Sequence, residues 1–499
     1  MSKLSRLAVV ALPLSLGCNQ LWGLDDLSYE PASTTGSAGA GGAGGFAGSG
    51  GSGASAAAGA GGGGGSQPGL TGELLWGVRF GDDGNDRGVS VAVDPSGSVV
   101  QVGHFRGSIT LGTETLVNSG TGFTDDVLVA KLSSDGDVLW AASYGDAADQ
   151  DPADVAVDTD GAIIVVGGFN GSIDFGGAVG TATGRDAFVV KLDAAGVHQW
   201  TVYAGGADSQ VGQAVAADAA GNAVVVGQFA GAIDFGLGPL TDGGESDVFV
   251  VKLDPDGAPQ WNHRISGPGS QTPRTVAVGT DGSVAVIGRT VGAVDLGSVV
   301  LPGVAGDDLY LVKYASGGAL QWAKLFAGTG DVQPQSVAID AEGRVLVAGS
   351  LTGTADCGAG ALVSADGADG FLLQYSGQDG SCLDSVLFGE AGDQWSASIA
   401  LDPSGDLLLG GSFEGSLDLG GGALSCISSD CLFLAKLTAE LSHRWSHAFA
   451  GPTSASARIA VDPAANIAMA GSFDPSLDLG GGSLVSAGNH DVFVAKFGP

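Results

Sequence analysis

A tryptophan in a short apolar run returns along this chain at a nearly fixed interval, and that regularity constrains the fold more than any other feature. Trp76, Trp140, Trp200, Trp261, Trp322 and Trp445 are separated by 64, 60, 61, 61 and 123 residues. The long gap holds a degenerate copy, GSCLDSVLFGEAGD, with Asp384 at the tryptophan position and Phe388 aligned to Phe326. Self-similarity at such a period marks a repeat array. The chain therefore carries seven units of about 61 residues, starting near residue 70.

Two further markers fill each unit. One is a hairpin of the form VAVDxxGxxxVVG, seen as VAVDPSGSVVQVG, VAVDTDGAIIVVG and five variants. Apolar β-branched runs around an Asp-x-x-Gly turn predict two antiparallel strands. The other is a third strand such as DVLVAKL or DVFVVKL, followed by a tight turn into the tryptophan strand. Four strands per unit, repeated radially, predict an all-β, seven-bladed β-propeller of four-stranded antiparallel blades. The chain opens on a tryptophan strand, Leu74 to Phe80, and stops at a third strand, Asp491 to Phe497. Pairing these two would complete the seventh blade and remove two exposed edges, a permuted closure.

Composition agrees. Gly makes up 90 of 499 residues, which suits many tight turns, and it follows no three-residue period, so collagen is excluded. The apolar content, 44%, is enough for a core. The net charge of −35 repels phosphate backbones and anionic membrane surfaces, so nucleic acid is a poor partner.

Residues 1–17 have the layout of a signal peptide: Lys3 and Arg6, then an apolar stretch from Leu7 to Leu16, too short to span a bilayer. Ser15-Leu16-Gly17-Cys18 resembles a bacterial lipobox, with Ser15 departing from its usual Leu. The resemblance implies that Cys18 receives a lipid; a plain secretory leader is the alternative. Residues 18–69 read as a disordered linker, since 36–66 are Gly, Ala or Ser except for Phe46. Residues 70–499 are the propeller.

The consensus VAVDxxGxxxVxGxFxGxxDFG with DxFVxKLxxxGxxxW resembles the SBBP family, the bacterial seven-bladed β-propeller repeat, over roughly residues 70–499. Phe169-Asn170-Gly171-Ser172-Ile173-Asp174-Phe175-Gly176 matches its middle closely. The resemblance implies an exported or surface protein and supplies no catalytic residues. With Cys18 it implies an outer-membrane or cell-surface lipoprotein of a Gram-negative bacterium, held to the membrane by its lipid.

The repeated tryptophans are expected between blades. Lys131, Lys191, Lys252, Lys313, Lys436 and Lys496 recur, with Gln374 replacing the lysine in one unit, and are expected to pair with a repeated Asp. Asp174, Asp234, Asp295, Asp356, Asp418 and Asp478 sit in Gly-rich loops. They are expected to cap turns, with calcium as the less favoured alternative. No other cofactor is expected. Cys357, Cys382, Cys426 and Cys431 are expected to form two disulfides in an oxidising compartment; local pairing is the simplest of three connectivities.

Positions that break a strict repeat are the places to look for a ligand. One column, just before the first strand of each unit, includes Arg87, Asp151, Val211, Thr272, Gln333, Trp395 and Ala455. Another, at the end of the second strand, reads His104, Gly168, Gln228, Arg289, Ser350, Ser412 and Ser472. Arg274 and Arg458 lie nearby. Trp395, Arg274, Arg289, Arg87, His104 and Arg458 are the candidate ligand residues; ion pairing of these arginines with local carboxylates is the competing reading. The leading functional expectation is a non-catalytic, monomeric binding scaffold for envelope or extracellular glycans or proteins, anionic peptides among them. A glycan-cleaving enzyme on the same face and a purely structural envelope protein are the alternatives.

Overall fold

The computed structural model describes residues 72–499 except 121–122, 304–305, 365–366, 390–391 and 452–453. The leader, Cys18 and the Gly/Ala/Ser segment lie outside the described residues.

The described residues form seven four-stranded antiparallel sheets, one per repeat. Blade 2 shows the pattern: Gln150–Val157, Ile163–Phe169, Asp186–Leu192 and His198–Ala204, in spatial order from the axis outward. The inner strands of blades 1 to 7 are Arg87–Val93, Gln150–Val157, Gln210–Ala217, Gln271–Val278, Val332–Ile339, Gln394–Leu401 and Ser454–Val461. Each touches the next, and the seventh touches the first, so the ring closes around a central channel. In blade 7, Leu74–Phe80 forms the outer strand against Asp491–Phe497, with Val78 opposite Val494. The closure expected from the ends of the chain is the one observed.

The core consists of seven apolar clusters, one at each blade interface. Between blades 7 and 1, for example, Phe80, Ala470 and Val494 meet Val91, Phe105 and Leu128. The interfaces narrow toward the axis, and the sequence follows the taper. The inner strands carry Ala92, Ala156, Ala216, Ala277, Ala338, Ala400 and Ala460 at one repeated position, each packed on a neighbouring blade. Larger Val, Leu and Phe fill the same interfaces further out.

Each link between second and third strands contains a two-stranded hairpin, such as Ser172–Ile173 with Gly180–Thr181. The blades are four-stranded as expected, and this hairpin is a separate addition to each. The hairpin explains the GxxDFG motif: Ile173 and Phe175 plug the outer end of the interface between blades 1 and 2, with Phe175 against Tyr144 and Phe188. The six motif aspartates turn this hairpin. Asp174 Oδ1 accepts the Gly176 amide at 2.8 Å, and Asp418 Oδ1 accepts those of Gly420 and Gly422.

The tryptophans stitch blades together. Trp76, Trp140, Trp200, Trp261 and Trp322 each donate an indole N–H to a carbonyl in the turn between third and outer strands of the next blade, at 2.7–3.4 Å. The turn Ser133-Ser134-Asp135-Gly136 serves this purpose, since Ser134 O accepts from Trp76. Blade 5 lacks both Trp and Lys. There Gln374 reaches Ala439 O in blade 6 instead. Cys357 pairs with Cys382, and Cys426 with Cys431. The first of these ties the blade 5 hairpin to its own outer strand.

Candidate functional site

Inner strands begin, and second strands end, on the face opposite the tight turns. There Arg87 pairs with His104, Asp151 with Gly168, Val211 with Gln228, Thr272 with Arg289, Gln333 with Ser350 and Trp395 with Ser412. The two columns read from sequence are thus register partners in six blades. In blade 7 the register differs: Ala455 faces Phe473, and Ser472 faces Ser456.

The difference is a β-bulge. Six inner strands carry one extra residue two places after the column position: Val89, Ala153, Gln213, Arg274, Gln335 and Ala397. Bulges re-aim side chains and tolerate proline at a free edge, and Pro152, Pro273 and Pro334 precede three of them. Blade 7 pairs without a bulge and carries Arg458 one place beyond.

At the rim, arginines meet carboxylates. Arg289 Nη1 lies 2.7 Å from Asp307 Oδ2, which also accepts from Gln333 at 3.2 Å. Arg185 donates to Asp151 at 2.5 Å. Arg106 holds Asp125 by a two-pronged fork at 2.7 and 2.9 Å, and His104 Nδ1 lies 3.4 Å from the same carboxylate. Burial alone would push the Asp125 carboxyl up; His104 and Arg106 outweigh it and hold it down at about 2. His104, Asp125 and Asp151 lie close enough to share a metal ion. Their two carboxylates are already matched by Arg106 and Arg185, so the set offers a hard cation little net negative charge. Trp395 is half-buried at the start of the blade 6 inner strand.

Arg274 and Arg458 lie deeper. They stand on the inner strands of blades 4 and 7, which are not neighbours; both are half-buried, and Arg274 feels the charge of Arg458. Their common space is the channel. Arg274 donates through Nε at 2.9 Å and through Nη2 to Gln335 Oε1, the bulge residue of blade 5. Burial, then the charges of Arg458 and Arg289, push its pKa down to about 9, so it remains protonated at neutral pH. Asp154 of blade 2 accepts from Ser90 at 2.6 Å and from the Val215 amide at 3.0 Å. Burial raises its pKa, with Arg458 opposing. Asp154 and Gln335 escaped the sequence reading. The available signal was their offset from the VAVD motif, where Asp154 stands in a column otherwise filled by Ser, Ala, Thr and one Arg.

The opposite face is spoken for. Its central depression, about 450 Å³, is lined by Asp94, Asp158, Asp402 and Asp462. These pair with Lys131, Lys191, Lys436 and Lys496 at 2.8–3.0 Å. The lysine column is structural, as its repetition implied, but Lys313 departs from the expected aspartate pairing: Gly279 stands at that position, and Lys313 donates to Gly343 O and Gly377 O at 3.0 and 3.1 Å.

No family model matches the chain. An uncharacterized WD repeat-containing protein of Acanthamoeba polyphaga mimivirus is 22% identical over 190 residues, which cover 32% of this chain and 14% of that one. Among solved structures, a protein of unknown function from Dyadobacter fermentans aligns with a TM-score of 0.41 at 12% identity, covering 85% of this chain and 98% of its own. The quinohemoprotein alcohol dehydrogenase of Comamonas testosteroni aligns at 0.37 and 11%, covering 84% and 76%.

Proposed function

We propose that this chain is a non-catalytic binding scaffold, exported and lipid-anchored through Cys18, whose loop face takes an acidic glycan. The observation that supports it is the company at the channel mouth. In a chain of net charge −35, Arg87, Arg289, His104 and the half-buried Trp395 stand in the paired columns around one opening. An indole stacks on a sugar's apolar face, and a guanidinium has five N–H donors, so Arg289 can meet a ligand carboxylate beside Asp307, to which it donates through Nη1. The leader layout and the SBBP-like repeat support export.

The test is binding of oligogalacturonate to the purified protein. Trp395→Ala with Arg289→Ala is expected to weaken it at least tenfold, about 1.4 kcal/mol, with little change in melting, as for surface substitutions. Equal binding by wild type and double variant rejects this face. Release of reducing ends from the oligomer would mark a cleaving enzyme instead. In cells, Cys18→Ser is expected to move the protein from the membrane to the soluble fraction.

A further inference from the structure

We propose that the central channel holds a seat for one carboxylate group, built on Arg274 with Arg458 facing the same space. This deepens the reading of the loop face as the binding face, on which it rests for the route of access.

The argument starts from donors. A guanidinium has five N–H groups. Arg274 spends its Nε and one Nη2 donor on a single neutral oxygen, Gln335 Oε1. The remaining edge, Nη1 with the second Nη2 hydrogen, can also take a carboxylate by two parallel bonds. Arg274 forms no ion pair among the described residues, whereas Arg79, Arg106, Arg185, Arg264, Arg289, Arg344 and Arg444 all do. Carboxylates are not scarce, since the chain has 54 Asp and Glu. The charges Arg274 feels are those of two more arginines, Arg458 and Arg289.

The balance of charge sets the ligand class. Arg289 is offset by Asp307. Arg458 feels Asp154, which is held by Ser90 and the Val215 amide. Arg274 is the one of these three that meets no carboxylate among the described residues. A half-buried charge with no ionic partner is unfavourable, and a partner with matching hydrogen bonds relieves it. A single carboxylate does so; a phosphate dianion would overshoot. The bulge puts Arg274 in this place, as bulges do next to functional sites.

Acetate, for a free carboxylate, and trigalacturonate, for one presented by a larger ligand, are the probes. Each is titrated into the wild-type protein at constant ionic strength, and the melting temperature is followed. Acetate is expected to raise the melting temperature of wild type and not of Arg274→Gln. Trp395→Ala, expected to weaken glycan binding at the mouth, is expected to keep the acetate response, so the two readings fail separately. A response to trigalacturonate alone, lost in Arg274→Gln, also supports the seat. If neither probe gives a response that depends on Arg274, the proposal is overturned. Should Arg274→Gln fail to fold, the arginine side-chain ¹⁵N resonances of wild type decide. One guanidinium shifting with acetate supports the seat, and none shifting rejects it.

Discussion

Lys436 and Asp402 are each 2% exposed and meet at 2.8 Å. Removing one member of such a pair leaves the other charge buried, which costs about 3–5 kcal/mol. Lys436→Met is therefore expected to lower the melting temperature sharply. Adding Asp402→Asn should restore most of it, because the amide oxygen can still accept the Ser404 and Asp406 amides. No recovery in the double variant would show that lysine packing, not charge pairing, carries the site. Acid acts on the same groups. In Asp94, Asp218, Asp402 and Asp462 burial would raise the pKa, but hydrogen bonds, those from the lysines included, lower it. Their stabilisation is present above the ordinary carboxylate range and is lost as pH falls through the folded values. Asp86 has the opposite sign. Burial raises it to about 7, so its cost grows from about pH 4 to about pH 7 and is constant above. Asp86→Asn is expected to stabilise the protein at pH 8 and leave it unchanged at pH 3. A pH-independent difference between the two proteins would contradict this assignment.

At the scale of elements, the ring depends on a strand from the other end of the chain. Leu74–Phe80 covers the edge of Asp491–Phe497, and Arg79 bonds the fully buried Asp491. Deleting residues 70–81 is expected to expose that edge and produce oligomers on size-exclusion chromatography with light scattering. A monomer with unchanged melting would show that closure does not hold the ring. This element was legible because each repeat names its own strands, so a missing fourth strand and a spare one stand out. The hairpin between second and third strands was not legible. Its strands are mostly two residues long, as in Ser172–Ile173, shorter than any alternation can reveal. The bulges were hidden for a related reason: one extra residue on one strand is visible only against its partner.

For the whole molecule, a net charge of −35 repels itself in the compact state. Raising NaCl from about 20 to about 300 mM shortens the screening length severalfold and is expected to raise the melting temperature. A fall would mean that attractive pairs, not repulsion, dominate the charge energetics. By itself the sequence determined the seven-fold array, its four main strands, its closure, the tryptophan positions between blades, the lysine–aspartate pairing in five blades and that the four cysteines pair, their connectivity being left among three. All of these are repeated or local, so one copy explains another. Only the tertiary structure decided what the non-repeated residues do. It paired Arg289 with Asp307 at the rim and drew Arg274, Arg458 and Asp154 from blades 4, 7 and 2 into one channel. The physical reason is that a ring brings together residues far apart in the chain. Arg274 and Arg458 are separated by three blades of sequence, and only closure around an axis makes them neighbours in charge.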